Sequence, residues 1–168
     1  MWAPNSGTHL ASIFCHSSHV LDAGVTRDGN YLATVGSDSK INVFDLRTYG
    51  LVHSYFTPMP ASNLAISQRG LLSLGCRDQV ITWRDWEKEK QKAPYMKQET
   101  IERRKIVDLS YVPFEDSLGI GEIGGFEMIM VPGSGEANFD TFESGVGLSK
   151  KAKSTALVRG LLEKVYFL

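Results

Sequence analysis

Short runs of alternating apolar and polar residues, each closed by a turn, recur along most of the chain. VLDAGVT (20–26), YLATVG (31–36), KINVFDL (40–46) and LVHSYF (51–56) read as four strands. Arg27-Asp28-Gly29-Asn30, Ser37-Asp38-Ser39 and a turn ending at Gly50 separate them. NLAIS (63–67), LLSLG (71–75) and QVITW (79–83) repeat the unit, with a turn at Gln68-Arg69-Gly70. A more degenerate copy follows in IVDLSYV (106–112), a turn at Pro113-Phe114-Glu115-Asp116, SLGIG (117–121) and FEMIMV (126–131). Gly29 and Gly70, and likewise Phe44 and Trp83, recur after about 40 residues, a period that marks repeated supersecondary units. THLASIFC (8–15) reads as the outer strand of an incomplete earlier unit with Trp2 as its aromatic, so the chain is expected to begin inside a unit.

The side chains of the first complete unit narrow this expectation. His19 precedes the first strand, Thr34 lies on the second, Asp38 sits in the tight turn, and Phe44-Asp45 stands late on the third. The arrangement resembles the WD repeat, whose Asp, His, Ser/Thr and Trp form a hydrogen-bonded chain that pins a propeller blade. Phe44 has no indole N–H, so the chain is expected to run Asp38–His19–Thr34 at most. In the next unit Ser73 and Trp83 are present, while Pro60 stands for the His and Arg77 for the Asp. The expected fold class is all-β: a WD-repeat β-propeller segment of about three blades plus a partial one over residues 1–131, with a C-terminal α-helical tail.

Residues 132–168 carry a different pattern, expected as a Gly-rich loop and an amphipathic helical extension. VPGSGEANFDTFESGVG (131–147) is followed by SKKAKSTALVRGLLEKVYFL (149–168), where Val158, Leu161, Leu162 and Val165 recur at helical spacing. Lysines crowd its first turns, where the helix dipole disfavours positive charge. Gly160 costs about 1 kcal/mol against Ala. Such a helix needs a surface to lie on.

Composition removes several function classes. At 168 residues, 42% hydrophobic and 22% charged, the chain has material for a packed core. A formal net charge of −1 supplies no global field toward nucleic acid or anionic lipid, so any such contact must be local. Cys15 and Cys76 form no CxxC and no disulfide framework, which suits a reducing compartment and leaves one bridge between them open. No apolar run reaches the roughly 18–20 residues that cross a bilayer, so no membrane partner is expected. MWAPNSGTHLAS (1–12) lacks the basic start and apolar centre of a secretory signal.

Longer strings are more particular than the repeat. MWAPNSG (1–7), VHSYFTPMPASNLAIS (52–67), APYM (93–96) and SLGIGEIGGFEMIMVPGSGEANFD (117–140) together resemble the WD-repeat subunit of the nucleolar small-subunit processome, the U-three-small-nucleolar-RNA-associated protein seven family. The resemblance runs from Met1 to about Glu163 and includes the C-terminal domain characteristic of that family. It implies a nuclear, nucleolar, non-enzymatic scaffold in small-subunit rRNA processing and pre-ribosome assembly. The partners it implies are other processome proteins, pre-ribosomal RNA and the U three small nucleolar particle. The family's longer N-terminal propeller and lysine-rich extensions have no counterpart in the chain, which ends in VYFL where the family continues past a similar LLEK. A generic WD-repeat adaptor outside ribosome biogenesis is the alternative.

Candidate chemistry is sparse, and neither a metal nor a cofactor is expected. Cys15, His16 and His19 supply three potential zinc ligands where a structural site needs four. Pro132-Gly133-Ser134-Gly135-Glu136 lacks the Lys and spacing of a phosphate loop. It reads instead as a compact turn, or, on the resemblance, as a signature loop offering a protein contact together with Asn138, Phe139 and Asp140. Glu115, Asp116 and Glu122 have no accompanying substrate-positioning group, and Ser134 has no nucleophile elbow, so no catalytic residue is assigned.

Basic residues gather at Lys88, Lys90 and Lys92, at Arg103, Arg104 and Lys105, and at Lys150, Lys151 and Lys153. The first set interleaves with Glu87 and Glu89 and reads as a solvated loop. The other two are candidate phosphate contacts to RNA, which would be salt-sensitive and sequence-independent. Tyr55, Phe56 and Trp83 are expected in the strand core, and Trp86 as a surface anchor. About three blades fall short of a closed ring of 4–8 and would expose strand edges. The isolated chain is therefore expected to associate, to aggregate, or to fold against a partner.

Overall fold

In the computed structural model, residues 4–136, 149–151 and 154–155 are described. Contacts divide the chain into Met1–Glu136 and Ala137–Leu168. The described residues of the first unit form eleven strands. Sheet 1 is β1 (Val20–Val25), β2 (Tyr31–Gly36), β3 (Lys40–Asp45) and β4 (Gly50–Phe56), paired antiparallel in that order. Sheet 2 repeats the order with β5 (Asn63–Ile66), β6 (Leu72–Cys76), β7 (Gln79–Trp83) and β8 (Met96–Glu99). Sheet 3 has three strands, β9 (Ile106–Tyr111), β10 (Ser117–Glu122) and β11 (Gly125–Met130).

Strand pleating decides how the sheets meet. On sheet 1, Ala33, Val35, Ile41, Val43 and Tyr55 share a face and pack on Leu72, Leu74, Cys76, Ile81 and Trp83 of sheet 2. The other face of sheet 2 brings Ala65 and Val80 against Ile106, Leu109, Leu118 and Ile120 of sheet 3. Sheet 2 is thus buried on both sides. Side chains also join neighbouring inner strands. The Asp22 carboxylate accepts the Leu64 N–H at 2.8 Å, and the Asn63 amide donates to the Val107 carbonyl at 2.6 Å. Asp22 sits at a bulge in β1, where the irregularity re-aims a side chain.

Three features differ from the sequence pattern. Residues 8–15 form no strand: the Cys15 carbonyl accepts a hydrogen bond from the Asn42 side chain at 2.6 Å in place of a ladder bond. Trp2 lies outside the described residues. β8 has no periodic signal, because Met-Lys-Gln-Glu is the charged outer edge of its sheet, with one ladder partner and little to bury. Trp86, expected at the surface, is fully buried, and its indole N–H donates to the Gly70 carbonyl at 2.8 Å. This loop tryptophan extends the core between sheets 1 and 2. Cys15 and Cys76 are unbridged, and burial pushes the Cys76 thiol up to about 11.

In Ala137–Leu168, Lys150, Lys151, Ser154 and Thr155 are helical, and the Thr155 hydroxyl donates to the Lys151 carbonyl at 2.9 Å. The apolar stripe Val158, Leu161, Leu162 and Val165 lies outside the described residues.

Candidate interaction surface

The polar network of the first sheet forms, but around a different histidine. His16 is buried, with Nδ1 3.0 Å from Asp38 and Nε2 3.0 Å from the Thr34 hydroxyl. The Asp38 carboxylate can only accept, so Nδ1 carries a proton. Thr34 also reaches the Asn42 carbonyl at 3.3 Å. His19, the residue expected here, is exposed, and its carbonyl accepts the Ser37 N–H. The physical reason is the path of the chain: residues 15 and 16 lie against the face of sheet 1 that carries Thr34 and Asn42, and residue 19 has already turned toward β1. Gly36 makes the seat, since a Cβ there would stand 2.6 Å from His16 Nδ1. Phe44 is buried in place of an indole, and its neighbour Asp45 takes a bidentate ion pair from Arg47 that draws its carboxyl down to about 2.

The second sheet does not repeat the network. β6 pairs Leu72 with Trp83 and Ser73 with Thr82, so Ser73 and Trp83 point to opposite faces. Ser73 meets the Thr82 and Tyr111 hydroxyls at 2.7 and 2.6 Å on the side of sheet 3. Trp83 packs on Tyr55 with ring centroids 5.2 Å apart, and its indole N–H has no acceptor among the described residues. Leu74 takes the place that Thr34 has in sheet 1. An alternation read one residue out of step moves a side chain to the other face.

The glycine loop belongs with the sheets. Gly133 adopts φ +78°, and a Cβ on Gly135 would lie 2.5 Å from the Glu115 backbone, so the loop presses directly on the β9–β10 turn. The Gly135 N–H donates to Asp116 at 2.8 Å, and backbone N–H groups of the loop, Gly135 first, hold the Asp116 carboxyl below its ordinary range. This anion nest is filled by the protein's own aspartate. Gln68 accepts the Phe114 and Glu136 N–H groups, Arg69 N–H donates to the Ser134 carbonyl, and Arg27 pairs with Glu136 at 2.9 Å. Ser134 is buried, with no partner for its hydroxyl among the described residues. Asn138, Phe139 and Asp140 lie outside the described residues.

The basic clusters separate by their partners. Arg103, Arg104 and Lys105 are all exposed, but Arg103 pairs with Glu99 at 3.1 Å and Arg104 with Glu102. Among the described residues Lys105 has no carboxylate partner, and neither do the exposed Lys150 and Lys151. Lys153 lies outside them. No three His, Cys, Asp or Glu side chains converge as metal ligands among the described residues, and no described helix is long and apolar enough to cross a membrane.

Phe56, expected in the core, is 72% exposed, because its place at the end of an outer strand turns it away from sheet 2. It borders a groove of about 590 Å³ lined by Tyr55, Phe56, Trp83, Lys90, Gln91 and Lys92. The sequence held these residues as separate core and loop signals. The Tyr55 hydroxyl brings the lysine loop against the strand, donating to the Trp86 and Glu89 carbonyls and accepting the Gln91 N–H.

Comparison with known proteins gives this geometry a context. Solved β-propellers superpose on it: the Cps50 (Swd1) propeller domain of Myceliophteria thermophila with a TM-score of 0.58 at 18% identity, covering 70% of the chain and 37% of that domain. A chain of the mitotic checkpoint complex gives 0.62 at 17%, covering 75% and 40%. Both establish the propeller fold. Residues 94–167 match the BING4CT (NUC141) domain. WD repeat-containing protein 46 of Homo sapiens is 40% identical over 98% of the chain and 27% of its own length. U3 small nucleolar RNA-associated protein 7 of Saccharomyces cerevisiae is 32% identical over 98% and 32%. The chain therefore spans about a third or less of these relatives. With sheets that superpose on propeller blades, a BING4CT match from residue 94 onward and homology along nearly all its length, the chain belongs to the family of WD repeat-containing protein 46 and U3 small nucleolar RNA-associated protein 7.

Proposed function

We propose that the chain is a non-enzymatic scaffold in ribosome biogenesis, acting in small-subunit rRNA processing and pre-ribosome assembly within the nucleolar small-subunit processome. Its partners there are other processome proteins, with pre-ribosomal RNA and the U three small nucleolar particle beside them. The observation that carries this reading is the family membership along 98% of the chain. How the side chains are used supports it: His16 is engaged by Asp38 and Thr34, Asp116 by the glycine loop, and Ser73 by Thr82 and Tyr111. Groups a catalyst would hold ready for a substrate here fasten the N-terminal segment to sheet 1, the glycine loop to the β9–β10 turn, and sheet 2 to sheet 3.

RNA contact is assigned first to Lys150 and Lys151, which have no carboxylate partner among the described residues, whereas Arg103 and Arg104 each have one. Sedimentation of the tagged chain from nucleolar extract tests the reading. It predicts co-migration with particles that contain small-subunit precursor RNA. A free pool without that RNA contradicts it and favours an adaptor outside ribosome biogenesis. Replacing Lys150 and Lys151 by Ala is expected to lower RNA binding at low salt more than replacing Arg103 and Arg104 does.

A further inference from the structure

The outer edges of the two four-stranded sheets are built differently. β8 is four residues long and carries Lys97 and Glu99, charges that guard an edge against pairing. β4 has seven residues, Gly-Leu-Val-His-Ser-Tyr-Phe, with neither proline, lysine nor carboxylate. Its hydrogen-bond phase is fixed by Thr57, whose N–H donates to the Ser39 carbonyl at 3.0 Å. Counting back along the antiparallel register, Tyr55 and His53 turn their N–H groups to β3, and Ser54 and Phe56 turn theirs outward. Beside this edge lies the groove of about 590 Å³ between Tyr55, Phe56 and Trp83 on one side and Lys90, Gln91 and Lys92 on the other. Among the described residues no carboxylate lines it. Lys40 stands 5.4 Å from the centre of the Phe56 ring, on the opposite face of the sheet from Tyr55.

We infer that the β4 edge and the adjoining groove dock an extended acidic segment of a partner protein, which adds a strand to sheet 1. The outward N–H and C=O groups of Ser54 and Phe56 supply the main-chain pairing that strand addition requires. The groove takes one apolar side chain of the segment, and the carboxylates beside it face Lys90 and Lys92. Strand pairing selects a polypeptide over a nucleic acid, which has no backbone to complete the ladder. Charge selects a foreign segment over a second copy, since two β4 edges side by side would bring two sets of these lysines together. The docking residues include none of the lysines assigned above to RNA, so the peptide test does not depend on the ribosome-biogenesis reading.

The test is fluorescence anisotropy of a labelled peptide alternating glutamate with leucine and phenylalanine, titrated with the full chain. Saturable binding is expected, weakened about tenfold or more by Lys90→Glu with Lys92→Glu. Ser54→Pro is expected to weaken it comparably by removing an outward N–H that pairs with no described residue. Lys97→Glu on β8 should leave it unchanged, with circular dichroism confirming that each variant is folded. The inference is overturned if the wild-type chain fails to bind the peptide or if the lysine reversals leave affinity intact. It is equally overturned if oligouridine displaces the peptide with the same lysine dependence, or if sedimentation shows a dimer that Ser54→Pro dissolves.

Discussion

Sheet 2 and the two sheets beside it are built on one strand pattern, yet their burial differs strand by strand. In β6 every residue is buried and in β7 all but the first, whereas β1 and β11 show the same alternation of exposed and half-buried positions. Sheet 2 has a neighbour on each face, and so Leu72, Leu74 and Trp83 look one way while Val80 looks the other. Sheets 1 and 3 each keep a face without a neighbouring sheet among the described residues. On sheet 3 that face carries Phe126, Met128 and Met130, which are 67%, 57% and 74% exposed. The difference teaches that a blade of this kind draws its stability from the sheets on either side of it, as repeat proteins do. It also teaches where binding chemistry can reside, because polar and aromatic groups free of the core lie at edges and open faces.

Mutations should reproduce this gradient. Leu74→Ala, which empties a fully buried site between sheets 1 and 2, should cost about 2–5 kcal/mol in urea denaturation. Met130→Ala, on the open face of β11, should stay within about 0.5 kcal/mol, and an equal loss at both sites would break the comparison. His16→Ala should be intermediate at roughly 1–3 kcal/mol, because Asp38 and Thr34 lose a shared partner where the N-terminal segment is fastened to sheet 1. His19→Ala should change little, and reversal of that order would return the network to His19.

The smallest effect concerns pH. The loop amides lower the folded pKa of Asp116, so the stabilisation it brings is whole above the unfolded carboxyl value of about 3.9 and drains away as pH falls through the folded one. Asp116→Asn should therefore lower stability at neutral pH slightly and flatten the acid side of the stability profile. An acid limb unchanged by the substitution would remove the nest from the account.

The repeat was legible because its turns are written in residues that terminate strands, such as Asp28-Gly29 and Arg69-Gly70, and because alternation survives wherever one face is solvated. What the pattern missed follows from what it cannot encode. β8 meets solvent along its outer edge, and Met-Lys-Gln-Glu has no periodicity to detect. His16 and His19 are the same residue type three positions apart, and only the course of the chain across sheet 1 selects between them. Ser73 and Leu74 differ by one step of pleat, which pairing with Thr82 or Ile81 settles and spacing does not. Trp86 fills the core from a loop, where no strand signal points. The glycine loop read correctly as a tight turn, but its lining by Asp116 depends on a turn about twenty residues away in sequence.

Hydrogen exchange on the full chain, followed strand by strand, tests the neighbour-dependent account most directly. Amides of β6 and β7 should exchange slowest and those of β1 and β11 fastest, with β2, β3 and β10 between them. Protection of β1 or β11 equal to that of β6 would contradict it.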